Sequence, residues 1–174
     1  MKRRARTLVF LLAAVALLGA AVFAELRHEQ TLAFDPLTLL DPAAVRVLAV
    51  SCNACRTRRF EKVEGHWQMR EPFQQPADDA AVDKLAAIAR ASVRFRHAAG
   101  ELDAKKLGLD PPQATLQLDT TTLRFGTTDA LHGDRYVQAG GSIALVPDRF
   151  SALLFAAPEN ELARPPAMPN VTGH

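Results

Sequence analysis

The hydrophobic pattern divides the chain into an N-terminal apolar run and a longer region of short apolar segments. No charged residue occurs from Leu8 to Ala24, and four cationic residues precede this run. Burial of the run in a bilayer is favourable, whereas the cations before it resist translocation. The pattern therefore predicts a signal-anchor or transmembrane segment over residues 1–24, with the N-terminus in the cytoplasm. The run is at the lower length limit of a spanning helix, and the small residues before Glu25 suit a signal peptidase, so cleavage stays an alternative.

The region after the apolar run divides by composition into a linker, a domain and a tail. Residues 25–42 form a mixed stretch that we interpret as a juxtamembrane linker, and residues 43–157 carry the short apolar segments of a folded domain. Residues 158–174 are rich in proline and lack a core pattern, which predicts a mobile tail. The chain is thus predicted to cross the cytoplasmic membrane once, through residues 8–24, with its domain on the extracytoplasmic side.

Short β-branched and apolar segments predict that the domain contains a sheet of β-hairpins. A three-stranded meander is expected over residues 45–69, and a separate strand over residues 93–96. Four further antiparallel strands are expected between residues 114 and 147, where Gly140 and Gly141 supply the positive φ angles of a tight turn.

Helical periodicity appears in a smaller part of the domain. Apolar residues from Val82 to Ala89 recur at helical spacing after Asp78, whose side chain can cap a helix. A short helix is expected before Gly108, and a closing helix over residues 150–157. The elements together predict an α+β domain: a mostly antiparallel sheet built from β-hairpins, with two or three packed helices, after one N-terminal transmembrane helix.

The distribution of charge argues against nucleic acid as a partner. The whole chain has 21 Lys and Arg residues and 19 Asp and Glu residues, a formal net charge of +2. Four of the cations precede the apolar run, so the exported part has 17 cations against 19 anions, a net charge of −2. Recognition of phosphates needs clustered cations. We therefore expect no nucleic-acid partner.

Three segments of the domain carry an ordered set of motifs. FEKVEGHWQMREPF reads as strand, turn and strand, KLGLDPPQATLQL as a helix stop that leads into a strand, and TLRFGTTDALHGDRYVQAGGSIALVP as two hairpins. Over about residues 43–156 these segments resemble a bacterial family of domains of unknown function, DUF4340. The matched positions are turn and core residues: Phe60, Lys62, Gly65, Trp67, Pro72, Gly108, Leu109, Asp110, Pro112, Gly126, Tyr136 and Val137.

The resemblance implies a location and a kind of partner, but no chemistry. It implies a membrane-anchored extracytoplasmic domain, that is, a single-pass protein of a bacterial inner membrane with its domain in the periplasm. Some members of the family resemble auxiliary components of ABC-type export systems, which implies an envelope protein as the partner. The cysteine pair of this chain does not belong to the general family pattern.

Cys52 and Cys55, the two cysteines of the chain, allow three interpretations. A redox dithiol of the thioredoxin type places its first cysteine at a helix N-terminus, but strand-like segments flank this pair. A zinc site needs two more ligands, and the sequence has no second cysteine pair. A disulfide across a β-turn is favoured, because residues i and i+3 of a turn lie within about 7 Å and an oxidising compartment preserves the bond. The redox interpretation stays open, because Arg56 and two further arginines favour a thiolate at Cys55.

The other polar side chains have structural explanations. Asp78 and Asp79 lie at a helix start, where capping accounts for them, and Asp110 lies in a turn. Trp67 and Tyr136 are expected in or beside the core. We therefore assign no catalytic, cofactor-binding or metal-binding residue.

Two functional hypotheses follow from the sequence. The first is a membrane-tethered, non-catalytic domain that binds a protein or another component of the cell envelope. The alternative is a thiol–disulfide or redox-sensing protein that uses Cys52 and Cys55.

Overall fold

The structure, a computed structural model, describes residues 35–164 of the 174-residue chain. All the elements described below lie in one compact unit that begins at Pro36. The predicted membrane segment 1–24, residues 25–34 of the predicted linker and residues 165–174 of the predicted tail lie outside the described residues. Between residues 35 and 164, no helix has both the length and the apolar character needed to cross a bilayer.

In residues 35–164, nine strands form one sheet in which all neighbours are antiparallel. In chain order they are β1 (Val47–Cys52), β2 (Arg58–Val63), β3 (His66–Glu71), β4 (Gln75–Pro76), β5 (Phe95–Ala98), β6 (Ala114–Leu118), β7 (Thr121–Thr128), β8 (Asp134–Ala139) and β9 (Ser142–Pro147). Across the sheet their order is β4-β3-β2-β1-β6-β7-β8-β9-β5. The predicted mostly antiparallel sheet of hairpins is therefore confirmed.

Alternation of side chains along the strands gives the sheet one face that forms the core. Leu48 and Val50 of β1 and Phe60 of β2 are fully buried, whereas Ser51 and Arg59 are exposed. Successive residues of a strand point to opposite faces, so the apolar positions of neighbouring strands meet on the same side. The resulting cluster of buried side chains extends from β3 near one end of the sheet to β9 near the other.

Two tight turns set the register of the hairpins. Between β2 and β3, Glu64 and Gly65 have φ angles of 51° and 89°. Between β8 and β9, Gly140 has a φ of 56°, whereas Gly141 does not adopt a positive φ. The left-handed region is sterically easy only for glycine, which explains the glycine at both turns.

The helical content is smaller than the sequence predicted. Helix α1 (Asp79–Ala87) continues as a 3-10 turn (Ile88–Arg90), which makes one element of 12 residues on the buried face of the sheet. Asp78 caps it, as expected, by accepting a hydrogen bond from the Ala81 N–H at 3.1 Å. Helix α2 (Ser151–Leu154) is a single turn instead of the closing helix expected over residues 150–157.

The short helix expected before Gly108 is a series of turns. Gly108 has a φ of 67°, and the N–H of Leu109 donates to the carbonyl of Ala104 at 2.8 Å. This is the chain reversal that the glycine predicted, with Leu109 fully buried. The residues before it are too few to form a regular helix, because the stop occurs within about one turn of Asp103.

The C-terminal part of the domain extends beyond the predicted boundary at residue 157. Residues 158–161 form a 3-10 turn, Leu162 bridges to Ala77, and the N–H of Ala163 donates to the carbonyl of Pro76 at 3.0 Å. Residues 158–163 were expected in a mobile tail because proline and polar residues dominate their composition. They are packed because backbone hydrogen bonds to residues 76–78 and a buried Glu161 hold them.

Candidate functional site

The two cysteines lie at the tip of the hairpin formed by β1 and β2. Cys52 is the last residue of β1, and β2 begins six residues later at Arg58. The Cα atoms of Cys52 and Cys55 are 5.3 Å apart and their sulfur atoms are at disulfide distance. Both side chains are half-buried. A strand, not a helix, follows Cys55, so neither sulfur lies at the N-terminus of a helix as in a thioredoxin-type dithiol.

A groove of about 330 Å³ lies next to this disulfide turn, which we define as residues 52–57. Ala54, Cys55 and Arg56 form one wall, and residues 155–159 form the other. Phe155 is an exposed aromatic side chain in this groove, with 42 % of its surface accessible. The exposed side chains of Arg56 and Glu159 give the groove one positive and one negative group.

Arg58 holds the second wall of the groove, residues 155–159, through contacts with the residues that precede it. Its side chain is fully buried, and both terminal nitrogens donate to the carbonyl of Leu153 at 3.2 Å. It also donates to the carbonyl of Leu154 and forms an ion pair with Glu161. These carbonyls belong to the end of α2, where the helix itself supplies no donors. Arg58 therefore links the strand after the disulfide turn to the segment that carries Phe155.

Burial perturbs both members of the ion pair between Arg58 and Glu161. Removal from water raises the pKa of Glu161 to about 7, although the positive charge and hydrogen bond of Arg58 act in the opposite direction. Burial likewise lowers the pKa of Arg58, opposed by Glu161. Desolvation disfavours a charged group unless its partner compensates in full. Glu161 is thus a buried carboxyl group that changes its charge state near neutral pH.

A second arginine holds the start of the same segment. Arg135 of β8 donates to the carboxylate of Asp148 at 2.9 Å and to the side-chain carbonyl of Gln113 at 2.9 Å. Asp148 in turn accepts a hydrogen bond from the Ser151 hydroxyl at 2.6 Å, at the start of α2. Burial acts to raise the pKa of Asp148, but the hydrogen bonds from Ser151 and Arg135 outweigh it, so this pKa is lowered. The carboxylate therefore stays ionised and anchors α2.

Residues 148–163 can therefore be treated as one structural unit, the C-terminal strap. Arg135 binds its first turn, Arg58 binds the carbonyls at the end of α2, and Glu161 closes the far end. The guanidinium of Arg135 also lies 5.8 Å from the ring centroid of Phe155. The exposed aromatic side chain of the groove is thus held by fixed neighbours rather than by a free loop.

The lysine and tryptophan of the sequence motif form a packing contact. Trp67 is fully buried, as expected, and its indole N–H donates to Asp83 of α1 at 2.8 Å. The Lys62 ammonium lies 5.0 Å from the indole ring centroid and 3.7 Å from Asp83. These contacts attach α1 to the sheet, which gives both motif residues a structural role.

Asp79 has a role that capping alone did not predict. Its carboxylate accepts hydrogen bonds from the Trp67 N–H at 2.6 Å and contacts the His66 ring nitrogen at 2.7 Å. The hydrogen bond from Trp67, and then that from His66, lowers the pKa of Asp79. This pair is exposed at the surface, and it joins the start of α1 to β3.

Gly126, one of the motif glycines, permits a close contact between two backbone segments. A Cβ atom on Gly126 would lie 2.2 Å from the carbonyl oxygen of Leu107, and the N–H of Thr127 donates to this oxygen at 2.8 Å. The turn that contains Gly108 and Leu109 therefore rests directly on β7. Tyr136, the other expected core aromatic, is only half-buried.

The remaining candidate groups are not brought together. In the part of the chain from residue 35 to 164, no group of three or more His, Cys, Asp or Glu side chains is arranged to hold a metal ion. The histidines at positions 66, 97 and 132 each contact one carboxylate on the surface.

Comparison with known proteins identifies the family of the chain. The model of the family described as "Domain of unknown function (DUF4340)" matches residues 67–162. The chain belongs to the DUF4340 family. The match begins at Trp67 and ends at Leu162, so it includes most of the C-terminal strap and lies after Cys52, Cys55 and Arg58. No curated protein and no solved structure matches the chain.

The sequence did not reveal the ion pair between Arg58 and Glu161. The residues are 103 positions apart, and Glu161 lies among polar residues that predicted a tail. One signal was present: Arg58 occupies the same strand face as Phe60 and Lys62, so alternation alone places a cation on the buried side. A cation in such a position requires a partner, but no local pattern says which one.

Proposed function

We propose that this DUF4340 protein is a non-catalytic accessory domain, anchored in the cytoplasmic membrane, that binds another protein of the bacterial envelope. The N-terminal cations and apolar run support the anchor and the periplasmic location. Membership of DUF4340 supports a binding role only by analogy with the family. The partner is a membrane or periplasmic protein, of which an ABC-type export system is one example.

The groove beside the disulfide turn is the observation that carries the binding role. It combines an exposed aromatic side chain, Phe155, with the charged groups of Arg56 and Glu159. Aromatic and arginine side chains dominate the binding energy of protein interfaces, especially where they are held rigid before binding. Arg58 and Arg135 provide this rigidity. A short partner segment with one apolar side chain and flanking charges fits such a groove.

In-cell photocrosslinking tests this proposal with the full chain in its membrane. A photoreactive residue at Ala157, an exposed position in the groove, is expected to give a discrete adduct with one envelope protein. The same residue at Ala130, an exposed loop position between β7 and β8, is the control and is expected to give none. The adduct at position 157 should disappear when Phe155→Asp is added. Equal adducts at both positions, or no loss with Phe155→Asp, would refute binding in the groove.

The second candidate is a thiol–disulfide exchange protein. It is favoured by one observation: Cys55 itself lines the groove, next to Arg56. In such a reaction a partner thiolate attacks the sulfur of Cys55, a mixed disulfide forms, and Cys52 leaves as the thiolate. In a Cys52→Ser variant the reverse reaction applies: the thiolate of Cys55 attacks a disulfide of the oxidised partner, and one partner sulfur leaves as the thiolate. The mixed disulfide should then accumulate, visible on non-reducing gels, because Cys52 is not present to resolve it. If this mixed disulfide is absent while the photocrosslink at position 157 is retained, thiol–disulfide exchange is excluded and only the binding role remains.

A further inference from the structure

The sheet has a second, exposed face whose middle carries neutral polar side chains. On β6 and β7 these are Thr115, Gln117 and Thr122, and on β8 Gln138. Arg124 of β7 lies among them, directly opposite Thr115 on one side and Gln138 on the other. Leu123 and Phe125, its neighbours along the strand, point into the core. We call this set of five residues the polar face.

Arg124 differs from the arginines that hold the fold together. Within residues 35–164, no carboxylate forms a salt bridge with Arg124. Other cations of the same region do pair with carboxylates: Arg58–Glu161, Arg70–Glu61, Arg94–Asp134, Arg135–Asp148 and Lys62–Asp83. The carboxylate of Asp119, in the turn between β6 and β7, is turned to β1, where it accepts hydrogen bonds from two backbone N–H groups. The charge of Arg124 is therefore not neutralised by the polar face.

A groove of about 310 Å³ places this charge beside hydrogen-bonding groups. Its walls are Thr122, Arg124, Gln138 and Gly140. Gly140 leaves the end of the groove open, because a Cβ atom at this position would meet nothing within 4 Å. A guanidinium, an amide and a hydroxyl together supply several N–H and O–H donors to one small volume.

We propose that this groove binds a carboxylate, specifically the free C-terminal carboxylate of an extended peptide. A guanidinium pairs with a carboxylate through two parallel hydrogen bonds, and the side chains of Gln138 and Thr122 can donate to the same oxygens. One arginine neutralises one negative charge, which suits a carboxylate better than a phosphate dianion. The volume of the groove accommodates one or two small residues, and the opening at Gly140 gives the rest of the peptide a way out. This site is on the opposite face of the sheet from the core and is independent of the groove at Phe155.

Ligand-observed NMR with the full chain in detergent micelles tests the proposal. The probe is N-acetyl-trialanine with a free C-terminal carboxylate, and the matched ligand is the same peptide with a C-terminal amide. We expect saturable binding of the acid, and affinity about tenfold lower for the amide, because the charge-assisted hydrogen bonds are lost. Arg124→Gln should lower the affinity for the acid by a similar factor, whereas Arg149→Gln, at an exposed arginine outside the polar face, should leave it unchanged.

Each other outcome would overturn the proposal. Equal binding of the acid and the amide would exclude recognition of the carboxylate. Equal loss with Arg124→Gln and Arg149→Gln would indicate attraction to the net charge instead of a site. Displacement of the peptide by inorganic phosphate at equal concentration would identify a phosphate site. Thermal unfolding of both variants should match that of the unmodified chain, since both arginines are exposed, and this checks that lost binding is not lost folding.

Discussion

Arg58, at the start of β2, and Glu161, 103 residues later, form an ion pair that is closed off from solvent. The arginine also binds the carbonyls at the end of α2, so one side chain joins the disulfide turn to the C-terminal strap. The pair connects the segments that form the two walls of the groove, although neither residue lines it and neither belongs to a recognisable motif. Its contribution to stability, and hence to the shape of the groove, can be tested directly.

Loss of either member of the pair should destabilise the domain strongly. Glu161→Leu leaves Arg58 buried without a counter-charge, and we expect a loss of about 3–5 kcal/mol in the free energy of unfolding. Arg58→Met should cost a similar amount, because Glu161 and the carbonyls of α2 lose their donor. Urea denaturation at pH 8, where Glu161 is ionised, measures both changes.

The double variant Arg58→Met with Glu161→Leu completes the comparison. Replacement of both charges by apolar groups removes the cost of burying them, so the double variant should be less destabilised than the sum of the single ones. Additive losses would show that the two residues do not stabilise the fold through each other.

The raised pKa of Glu161 predicts a pH dependence with a definite sign. Its pKa is about 7 in the folded domain, against an ordinary value of 4.5, so the folded state binds more protons than the unfolded state between these pH values. The stabilisation that the folded domain gains from the protonated side chain of Glu161 is fully present below about pH 4.5. It is lost as the pH rises to about 7. Relative to Glu161→Gln, which does not titrate, the unmodified domain should lose on the order of 3 kcal/mol over this interval. Urea denaturation of both proteins between pH 4.5 and 8 provides the comparison. Parallel curves would contradict the raised pKa.

Substitution of Gly126, with Gly141 as the matched control, tests the close contact between β7 and the turn that contains Gly108. A Cβ atom at Gly126 would lie 2.2 Å from the Leu107 carbonyl, so Gly126→Ala must displace the backbone and should cost about 2 kcal/mol or more. Gly141→Ala meets no atom within 4 Å and requires no positive φ, so its effect should stay within about 0.5 kcal/mol. Thermal or urea denaturation measures both. Similar losses would mean that the cost is a general effect of replacing glycine.

The sequence predicted the parts of the fold that depend on neighbouring residues. The meander, the cap at Asp78 and the reversal at Gly108 each follow from a few adjacent side chains. The pairing of β1 with β6, which joins the two halves of the sheet, has no local signal, because it brings together residues about 70 positions apart. The closing helix was predicted too long, because its apolar composition suggested a helix over residues 150–157. In the structure Arg58 binds carbonyls that would accept backbone hydrogen bonds in a longer helix.

The candidate site was only partly predictable for the same reason. The cysteines are three residues apart, and a turn between two strands could be inferred from their flanks. The groove requires the C-terminal strap to return to that turn, and the strap is held there by the contact of Arg58 with Leu153, 95 positions later. The pair of Arg135 and Asp148, 13 positions apart, holds its start. Long-range pairing of this kind leaves each partner looking like an ordinary surface residue in the sequence.

The disulfide of Cys52 and Cys55 should have a low reduction potential in the full chain. The hairpin of β1 and β2 brings the two residues together, because Cys52 is the last residue of β1 and β2 begins at Arg58. A folded hairpin that holds both sulfurs together favours the oxidised form, so we expect a potential below about −300 mV, typical of structural disulfides.

The double variant Cys52→Ser with Cys55→Ser serves as the control for this measurement. It should lose roughly 2 kcal/mol of stability or less, because the closed loop is short, and it should retain the photocrosslink at position 157. A potential of about −120 to −200 mV, together with loss of the crosslink in the double variant, would favour thiol–disulfide exchange. The two results separate the alternatives because a staple affects stability alone, whereas an exchange reaction requires the sulfurs themselves.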